Sequence, residues 1–429
     1  MLENVQVTVL KNGATVVSSP TASAESVAVG IWAGVGGRYE NTSVGGASHF
    51  LEHMLFKGTP TRSALSISQE IEGRGGYLNA FTQEEGTCYY ARLPYEYMTR
   101  AFDVLSDMYL NATIGEDDFS RERDVILEEI KMYQDLPQHV VQEKLQEVMF
   151  KGHALGAPLS GDEATLRKMS RETLLRYKAR AYVPGATVFA FAGRLDHATC
   201  VACVEKVFGG VRKAKGLDFK RVDGKVPQER LSLVKKEIAQ VHAVVGFRLF
   251  GRHDDRRYAL RVLNGLLGEN MSSRLFQSVR ERHGLCYSIQ SSFQLFEETG
   301  LFAISGGFDS QRAVAALKLT ATEIRRVLDA KVGAKEMRRT KDYLLGTFRL
   351  GLEGSGSQMM YIGESMLNYG RVVRPEETIA GIEAVTADDV RCVAADVFEP
   401  SRLTLSLVVP TTQPQSEDDW LASLADVWI

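Results

Sequence analysis

The 429-residue chain has few cysteines, no long hydrophobic run and no excess of basic residues. Its five cysteines are scattered and odd in number, which argues against a disulfide framework and favours a reducing compartment. No run of about 18 apolar residues occurs, so no transmembrane helix or membrane partner is expected. Lys and Arg number 51 against 54 Asp and Glu, and this balance gives no basis for nucleic-acid binding.

The length and composition are those of a globular protein with more than one core. Hydrophobic residues make up 44% of the chain and charged residues 24%, both ordinary values for a folded domain. Single cores stop growing at about 250–300 residues, and this chain is longer. We therefore expect at least two domains.

A segment of the first half of the chain, residues 170–193, is similar to residues 386–409. Each begins with a Ser or Thr suited to cap a helix, continues with acidic residues and a helical pattern, and then reaches a proline and a β-rich stretch. Two weaker matches lie in the same order: the stretch at Asp124 with that at Asp342, and the stretch at Gln69 with that at Gln277.

The repeat predicts two homologous α+β domains, each a mostly antiparallel β-sheet packed with helices. A polar stretch rich in Lys and Gly suits a linker at residues 214–232. The expected domains are therefore residues 1–213 and residues 233–429.

The stretch GGASHFLEHMLFKGT, residues 45–59, places three polar residues in an apolar helical pattern. His49, Glu52 and His53 are spaced i, i+3 and i+4, so their side chains leave one face of a helix. Two imidazoles one turn apart can bind one zinc ion, and a glutamate between them can take a proton from water. The order His-x-x-Glu-His is the reverse of the His-Glu-x-x-His zinc-protease signature. The alternative is a helix with chance histidines.

A catalytic zinc site needs a third protein ligand, and residues 119–135 offer acidic candidates. Apolar residues there have helical spacing, and Glu122 and Glu129 lie two turns apart on one face. Glu128 points about 100° away from Glu129 and is expected to face solvent. From the spacing alone, either Glu122 or Glu129 could bind the metal while the other supports it. A solvated charged face is the alternative.

These motifs resemble the pitrilysin, insulinase and mitochondrial processing peptidase family of zinc metallopeptidases, the inverzincins. The resemblance extends over residues 5–410 and includes GGYLNAFTQEEGTCYYARLP at residues 75–94 and ENMSSRLFQSVRERHGLCYS at residues 269–288. The chain length matches the small bacterial-type members, which pair as dimers, rather than the double-length members.

The resemblance implies roles for nine residues. His49, His53 and Glu129 would bind one Zn²⁺ per chain, and Glu52 would be the general base. Glu122 would be a catalytic acid that handles protons or supports a ligand. The substrate-binding residues would be Asn79 and Ala80, on an edge strand to which substrate adds, and Arg280 and Tyr287, which would hold the substrate backbone and polarise the scissile carbonyl.

The expected function is therefore that of a zinc metalloendopeptidase acting on peptides or unfolded polypeptides. The stretch matching the zinc helix in the second half, residues 259–273, contains no histidine. The resemblance implies a homodimer in which the zinc of one subunit faces Arg280 and Tyr287 of the other across a chamber. The expected location is the cytoplasm of a bacterium rather than an organellar matrix.

Three alternatives remain open at this stage. A chain of the same fold can be a non-catalytic scaffold or partner subunit, or it can be the catalytic half of a heterodimer. A zinc hydrolase of non-peptide substrates is a third reading, which rests on the His-x-x-Glu-His motif alone.

Overall fold

A computed structural model describes residue 2 and residues 4–224 and 229–428. Residues 225–228 of the expected linker, and residues 1, 3 and 429 of the expected domains, lie outside the described part. The strands are β1 (Gln6–Val9), β2 (Thr15–Pro20), β3 (Ser26–Ala33), β4 (Tyr77–Thr82), β5 (Thr87–Pro94), β6 (Thr187–Gly193), β7 (Leu231–Lys236), β8 (Gln240–Phe250), β9 (Cys286–Leu295), β10 (Thr299–Asp309) and β11 (Leu403–Pro410).

Helices account for most of the remaining chain, and a π-helical turn covers Phe276–Arg282. The helices are α1 (Ala47–Leu55), α2 (Ala64–Glu72), α3 (Met98–Asn111), α4 (Glu116–Gln134), α5 (Pro137–Met149), α6 (Glu163–Lys168), α7 (Arg171–Ala181), α8 (His197–Phe208), α9 (Arg257–Leu267), α10 (Ala313–Asp329), α11 (Ala334–Gly351), α12 (Ser355–Tyr369), α13 (Pro375–Ala384), α14 (Ala387–Val397) and α15 (Glu417–Trp428). Among the described residues, none of these helices combines the length and the hydrophobicity needed to span a membrane.

The chain forms two compact units that are not continuous in sequence. The chain passes from one unit to the other at residues 220–221, inside the expected linker, but each unit also contains a segment from the other half. Unit 1 comprises residues 1–131, 157–220 and 348–375, and unit 2 comprises residues 132–156, 221–347 and 376–429.

The two units share the same sheet topology over five strands, with β1 as an extra strand in unit 1, and this confirms the α+β fold with an internal repeat. The sheet of unit 1 has the order β1-β2-β6-β3-β5-β4, and that of unit 2 has the order β7-β11-β8-β10-β9. Strand β6 is parallel to β2 and antiparallel to β3, as β11 is parallel to β7 and antiparallel to β8. The other strand pairs are antiparallel.

The two copies that define the repeat also match in detail. Ser170 caps α7 and Thr386 caps α14, each accepting a backbone N–H of its helix. Pro184 and Pro400 then open short 3-10 turns that lead into β6 and β11. Proline suits these positions because its fixed φ favours the first residue of a helical turn.

The sheet of unit 1 is buried on both faces, which explains why β3 reads as an almost continuous hydrophobic run. Alternate residues of a strand point to opposite faces. Val29 and Ile31 therefore join one core, with α1, α3 and α8, whereas Ala28 and Trp32 join a second core under α12. In unit 2, α5 packs in the same way on β8 and β11.

Helix α12 comes from the second half of the chain but covers the sheet of unit 1, and its close approach depends on small residues. A Cβ atom on Gly363 would lie 2.1 Å from Trp32 Nε1, and one on Gly30 would lie 2.3 Å from Met359 Sδ. Glycine at these positions lets the helix and the strands pack without a gap.

We expect Gly363→Ala to lower the free energy of unfolding by about 1–3 kcal/mol, because the buried Trp32 ring has no space to move away. Thermal unfolding should show a decrease of roughly 2–4 °C in Tm for each kcal/mol. Gly346→Ala is the matched control, since no atom lies within 4 Å of its Cβ position in α11. The control should stabilise the protein by about 0.5–1 kcal/mol through helix propensity. Equal Tm changes in the two variants would contradict this account of the packing.

Candidate metal centre

Helix α1 begins after a glycine in the left-handed conformation. Gly46 has a φ of 85° and offers no capping side chain. The carboxylate of Glu40 accepts the backbone N–H groups of Gly46 and Ser48 instead, each at 2.6 Å. These bonds satisfy two N–H groups that have no partner within the helix. Glu40 therefore fixes the start of the helix that carries His49.

Burial of one face of α1 leaves the other face to its polar residues. The core of unit 1 contains four large side chains of this helix that are completely buried: Phe50, Leu51, Met54 and Leu55. His49, Glu52 and His53 leave the other side, as their spacing predicts. The side chains of His49 and His53 are only 15% and 22% exposed.

Helix α4 contacts α1 through two stacked aromatic rings. The centroids of Phe50 and Phe119 are 4.7 Å apart and their planes differ by 11°. Glu122 lies one turn after Phe119, and Glu129 lies two turns further along the same face. The ring stack therefore brings both glutamates beside the histidines, whereas Glu128 faces solvent, as expected, with its side chain 73% exposed.

Three of the predicted ligand atoms converge on one point. The Nε2 atoms of His49 and His53 are 3.3 Å apart, and Glu129 Oε2 lies 3.8 Å from the first and 3.5 Å from the second. Ligand atoms at about 2.0–2.2 Å from a tetrahedral zinc ion lie roughly 3.3–3.6 Å from one another. The donor set of two imidazoles and a carboxylate is also one that zinc prefers. The residues therefore fit a zinc ion.

The second ring nitrogen of His53 is held by an acidic residue on α4. Its Nδ1–H donates to Glu122 Oε1 at 2.9 Å, and Lys57 Nζ lies 2.5 Å from Glu122 Oε2. Burial raises the pKa of Glu122, but the hydrogen bonds from His53 and Lys57 outweigh burial and hold that pKa below its ordinary value. An ionised Glu122 keeps the proton of His53 on Nδ1, so that Nε2 presents its lone pair to the cluster.

His49 is kept neutral by its surroundings. Burial, and then the nearby His53 ring, lowers the pKa of His49 to about 4. A histidine must be neutral to bind a metal ion, so this environment suits a ligand at physiological pH. Its buried Nδ1 has no hydrogen-bond partner among the described residues.

Glu52 lies between the histidines and is held by a hydroxyl group on β4. Thr82 Oγ1 donates to Glu52 Oε2 at 2.6 Å. Burial raises the pKa of Glu52 above its ordinary value, although the bond from Thr82 opposes this. A carboxylate with a raised pKa beside a metal site is suited to accept and return a proton.

The predicted substrate strand is the edge strand of the unit 1 sheet. Asn79 and Ala80 lie on β4, which pairs with β5 on one side and forms the end of the sheet order. The side chain of Asn79 is exposed and donates to the Tyr77 hydroxyl at 2.5 Å. The same strand contributes Thr82, so this edge lies directly beside Glu52.

Arg280 and Tyr287 belong to unit 2, whereas the other predicted site residues belong to unit 1. Arg280 lies in the π-helical turn, and its guanidinium carbon is 4.4 Å from the Phe276 ring centroid and 5.5 Å from that of Tyr287. Tyr287 lies at the start of β9 with 82% of its surface exposed. The two side chains are thus neighbours.

Sequence reasoning missed three residues that hold this site together: Glu40, Lys57 and Thr82. Lys57 lies just beyond the end of α1, four residues after His53, so its closeness in sequence could have identified it. Thr82 is two residues after Ala80, and strand alternation places both on the face toward α1. No local pattern links Glu40 to the start of α1, because a loop separates them.

Comparison with known proteins gives the family. Residues 15–163 match the family model described as insulinase, peptidase family M16. Residues 168–344 match the model described as the peptidase M16 inactive domain. A Mycobacterium tuberculosis protein named as an uncharacterized zinc protease is 40% identical over 390 residues, which cover 90% of this chain and 89% of that protein. The chain belongs to peptidase family M16. The family predicted from the sequence motifs is therefore confirmed.

Other M16 relatives agree over nearly the full length. The uncharacterized zinc protease YmxG of Bacillus subtilis is 36% identical over 401 residues, covering 94% of this chain and 97% of that protein. A crystal structure of a Helicobacter pylori protease has a TM-score of 0.90 at 19% identity and covers 96% of this chain and 100% of that one. A Pseudomonas fluorescens structure described as a peptidase M16 inactive domain has a TM-score of 0.88 at 18% identity, with the same coverage. These two structures support the M16 fold.

The match to the M16 inactive domain lies mainly on the half of the chain without the histidine pair. Among the described residues, His49, His53 and Glu129 form the one group of at least three His, Cys, Asp or Glu side chains with ligand atoms within 4.8 Å of one another. The inactive-domain match therefore does not bear on the cluster in the first half.

The Glu40 cap makes the stability of this M16 protein depend on pH. Burial raises the pKa of Glu40 to about 7, although the bonds from Ser48 and Gly46 lower it. The folded state then binds the proton more tightly than the unfolded chain. The stability from protonated Glu40 is thus fully present below pH 4.5 and is lost as the pH rises to about 7.

We therefore expect the Tm of Glu40→Gln to increase relative to wild type as the pH rises from 4.5 to above 7. Glutamine carries no titratable proton, so the variant lacks this contribution to the pH dependence. Thermal unfolding of both proteins across the range checks it. A Tm difference that stays constant with pH would contradict the assignment.

Proposed function

We propose that this protein is a zinc-dependent endopeptidase that binds one zinc ion per chain through His49, His53 and Glu129. The observation that carries the proposal is the convergence of these three ligand atoms within 4.8 Å, with Glu52 on the same helix face. Membership in peptidase family M16, and relatives named as zinc proteases, give independent support.

A bound zinc ion would supply Lewis-acid chemistry, lowering the pKa of water and polarising a peptide carbonyl. Glu52 takes a proton from the attacking water and returns it to the amine nitrogen that leaves. Thr82 restricts the carboxylate of Glu52 to one orientation through its hydrogen bond to Oε2. The raised pKa of Glu52 is closer to neutral pH than that of an ordinary glutamate, and a group with such a pKa accepts and returns a proton more readily.

Glu122 orients the site and participates in proton handling. Its carboxylate keeps the proton on His53 Nδ1 and is itself paired with Lys57. Such supporting carboxylates raise the basicity of a ligand histidine and fix its ring. Loss of Glu122 would therefore weaken metal binding as well as catalysis.

The substrate is a peptide or an unfolded polypeptide, bound as an added strand along β4. The edge position of β4, with Asn79 and Ala80 in the middle of the strand, supports this mode. Recognition through backbone hydrogen bonds tolerates many side chains, which suits unfolded chains. Arg280 and Tyr287 hold the substrate backbone and stabilise the oxyanion that forms at the scissile carbonyl.

The active form is a homodimer in which each subunit completes the site of the other across a chamber. The similarity in length to the small M16 members, which pair as dimers, supports this assembly. The bacterial origin of the named relatives supports the cytoplasm of a bacterium as the location, as does the cysteine pattern, in which all five cysteines are free.

We expect Glu52→Gln to lower kcat/KM for peptide hydrolysis about 10²- to 10⁴-fold while zinc content stays near one ion per chain. The amide is almost the same size as the carboxylate but cannot accept the proton. Zinc content by mass spectrometry and cleavage of a quenched fluorescent peptide check both parts. A chelator should abolish wild-type activity, and added zinc should restore it. Wild-type rates in Glu52→Gln would contradict the role of the glutamate, and full activity without metal would contradict the zinc proposal.

Mixing two inactive variants tests whether the site is shared between subunits. Glu52→Gln and Tyr287→Phe homodimers should each be impaired, but a mixed dimer pairs the intact Glu52 of one chain with the intact Tyr287 of the other. After complete subunit exchange, about half of the dimers are mixed and each has one working site, so activity should recover to about a quarter of wild type. Recovery that does not exceed the sum of the separate variants would contradict a site completed by the partner subunit.

A further inference from the structure

Helix α9 of unit 2 corresponds to the metal-binding helix α1 residue by residue. The stretch Ala259–Leu267 aligns with Ala47–Leu55 without a gap. The buried apolar positions coincide, since Val262, Leu263, Leu266 and Leu267 match Phe50, Leu51, Met54 and Leu55. In this alignment Arg261, Asn264 and Gly265 correspond to His49, Glu52 and His53.

Asn264, the counterpart of Glu52, also accepts a hydrogen bond from the edge strand of its sheet. In unit 1, Thr82 on β4 donates to Glu52. In unit 2, Ser291 on β9 donates to Asn264 Oδ1 at 2.8 Å. The two strands are also equivalent in position. Strand β4 lies beside β5 at one end of the unit 1 sheet, and β9 lies beside β10 at the corresponding end of the unit 2 sheet. The alignment of the helices is therefore supported by a tertiary contact.

Gly265, the counterpart of His53, packs against a helix and offers no metal ligand. A Cβ atom on Gly265 would lie 3.2 Å from atoms of Thr340 and Leu344 on α11. Thr340 is the counterpart of Glu122 when Asp342 is aligned with Asp124. The His53–Glu122 pair of unit 1 is thus replaced by an apolar contact in unit 2.

Arg261 remains as a charged group at the position of the first metal ligand. Its charge acts on Tyr343, where it opposes the rise in pKa that burial causes. The side chain of Arg261 is half-buried, its Nε is buried without a hydrogen bond, and no described residue forms an ion pair with its guanidinium. Neighbouring arginines differ: Arg256 pairs with Asp254, and Arg274 makes two bonds to Glu336. The nearby Glu269 accepts from Asn264 at 2.9 Å rather than pairing with Arg261.

A guanidinium Nε–H that is buried without an acceptor is costly, because it loses water without gaining a hydrogen bond. A carboxylate matches the forked donors of a guanidinium better than other common groups of a peptide do. Helix α9 contacts β9, as α1 contacts β4. A peptide strand added to the free edge of β9 would therefore run past α9 in the same way that a strand added to β4 would run past α1.

We propose that Arg261 is a binding site for a carboxylate of the peptide substrate, in the position that the metal centre occupies in the first half. The inference rests on the proposed peptidase function and adds a substrate class: peptides with an acidic side chain, or with a free C-terminal carboxylate, held away from the bond that is cut.

Binding of labelled peptides to the full-length Glu52→Gln variant tests the proposal without turnover. One peptide of Ala, Leu, Ser and Gln ends in an amide, a second has the same sequence with a free C-terminus, and a third is amidated with one central Gln replaced by Glu. Fluorescence anisotropy gives Kd for each. We expect one or both carboxylate peptides to bind about tenfold tighter than the neutral peptide. The arm that gains affinity identifies the terminal or the side-chain source.

In the same background, Arg261→Met should remove the preference for carboxylate and leave the Kd of the neutral peptide unchanged. Arg261→Gln serves if the Met variant has a lowered Tm, and Arg338→Met, an exposed arginine of α11, is the control of equal charge. A preference that survives loss of Arg261, equal affinity of the three peptides, or an equal loss in the Arg338 control would overturn the proposal. Failure of every peptide to bind, together with no zinc-dependent cleavage by wild type, would overturn the peptidase function itself.

Discussion

The stacking of Phe50 on Phe119 is the contact on which the metal centre depends. It fixes α1 against α4, and so sets the distance between two imidazoles on one helix and a carboxylate on the other. Three lone pairs that face one point within 4.8 Å repel one another unless a cation or a proton lies between them. The apolar face of α1 and its Glu40 cap supply the free energy that holds them together, because burial of large side chains outweighs the cost of crowding polar ones.

The same framework occurs twice, and the comparison separates what folding needs from what chemistry needs. Both copies keep the order of five strands and the capped helix before the last strand, α7 or α14. Both also keep a hydrogen bond from the edge strand to the equivalent helix, α1 or α9. Only the first copy has side chains that can bind a metal ion at these positions. A glycine and a threonine fill the place of His53 and Glu122 in the second copy, since removing one partner of a buried polar pair leaves the other unsatisfied and favours loss of both.

Part of the site could be predicted from local spacing, and part could not. The positions i, i+3 and i+4 identify His49, Glu52 and His53 as one face of a helix, and a spacing of seven identifies Glu122 and Glu129 as one face of another. That spacing does not decide which glutamate meets the histidines and which supports them. The structure distinguishes them: Glu129 Oε2 meets both Nε2 atoms, whereas Glu122 Oε1 accepts the Nδ1–H of His53. Thr82 and Glu40 depend on contacts between elements, and no sequence spacing encodes these.

By itself, the sequence determined the α+β class, the internal repeat, the helices that carry the acidic and imidazole groups, and the resemblance to the family. These follow from short-range periodicity and from motifs that each lie within one element. Tertiary structure alone decided that α5 and α12 each cover a sheet of the other half. It also decided that the buried Nε of Arg261, where the first copy has a histidine, lacks a hydrogen-bond partner among the described residues. The reason is physical: a helix carries in its own residues the pattern of the face it buries, but that pattern does not specify which of two similar sheets will cover it.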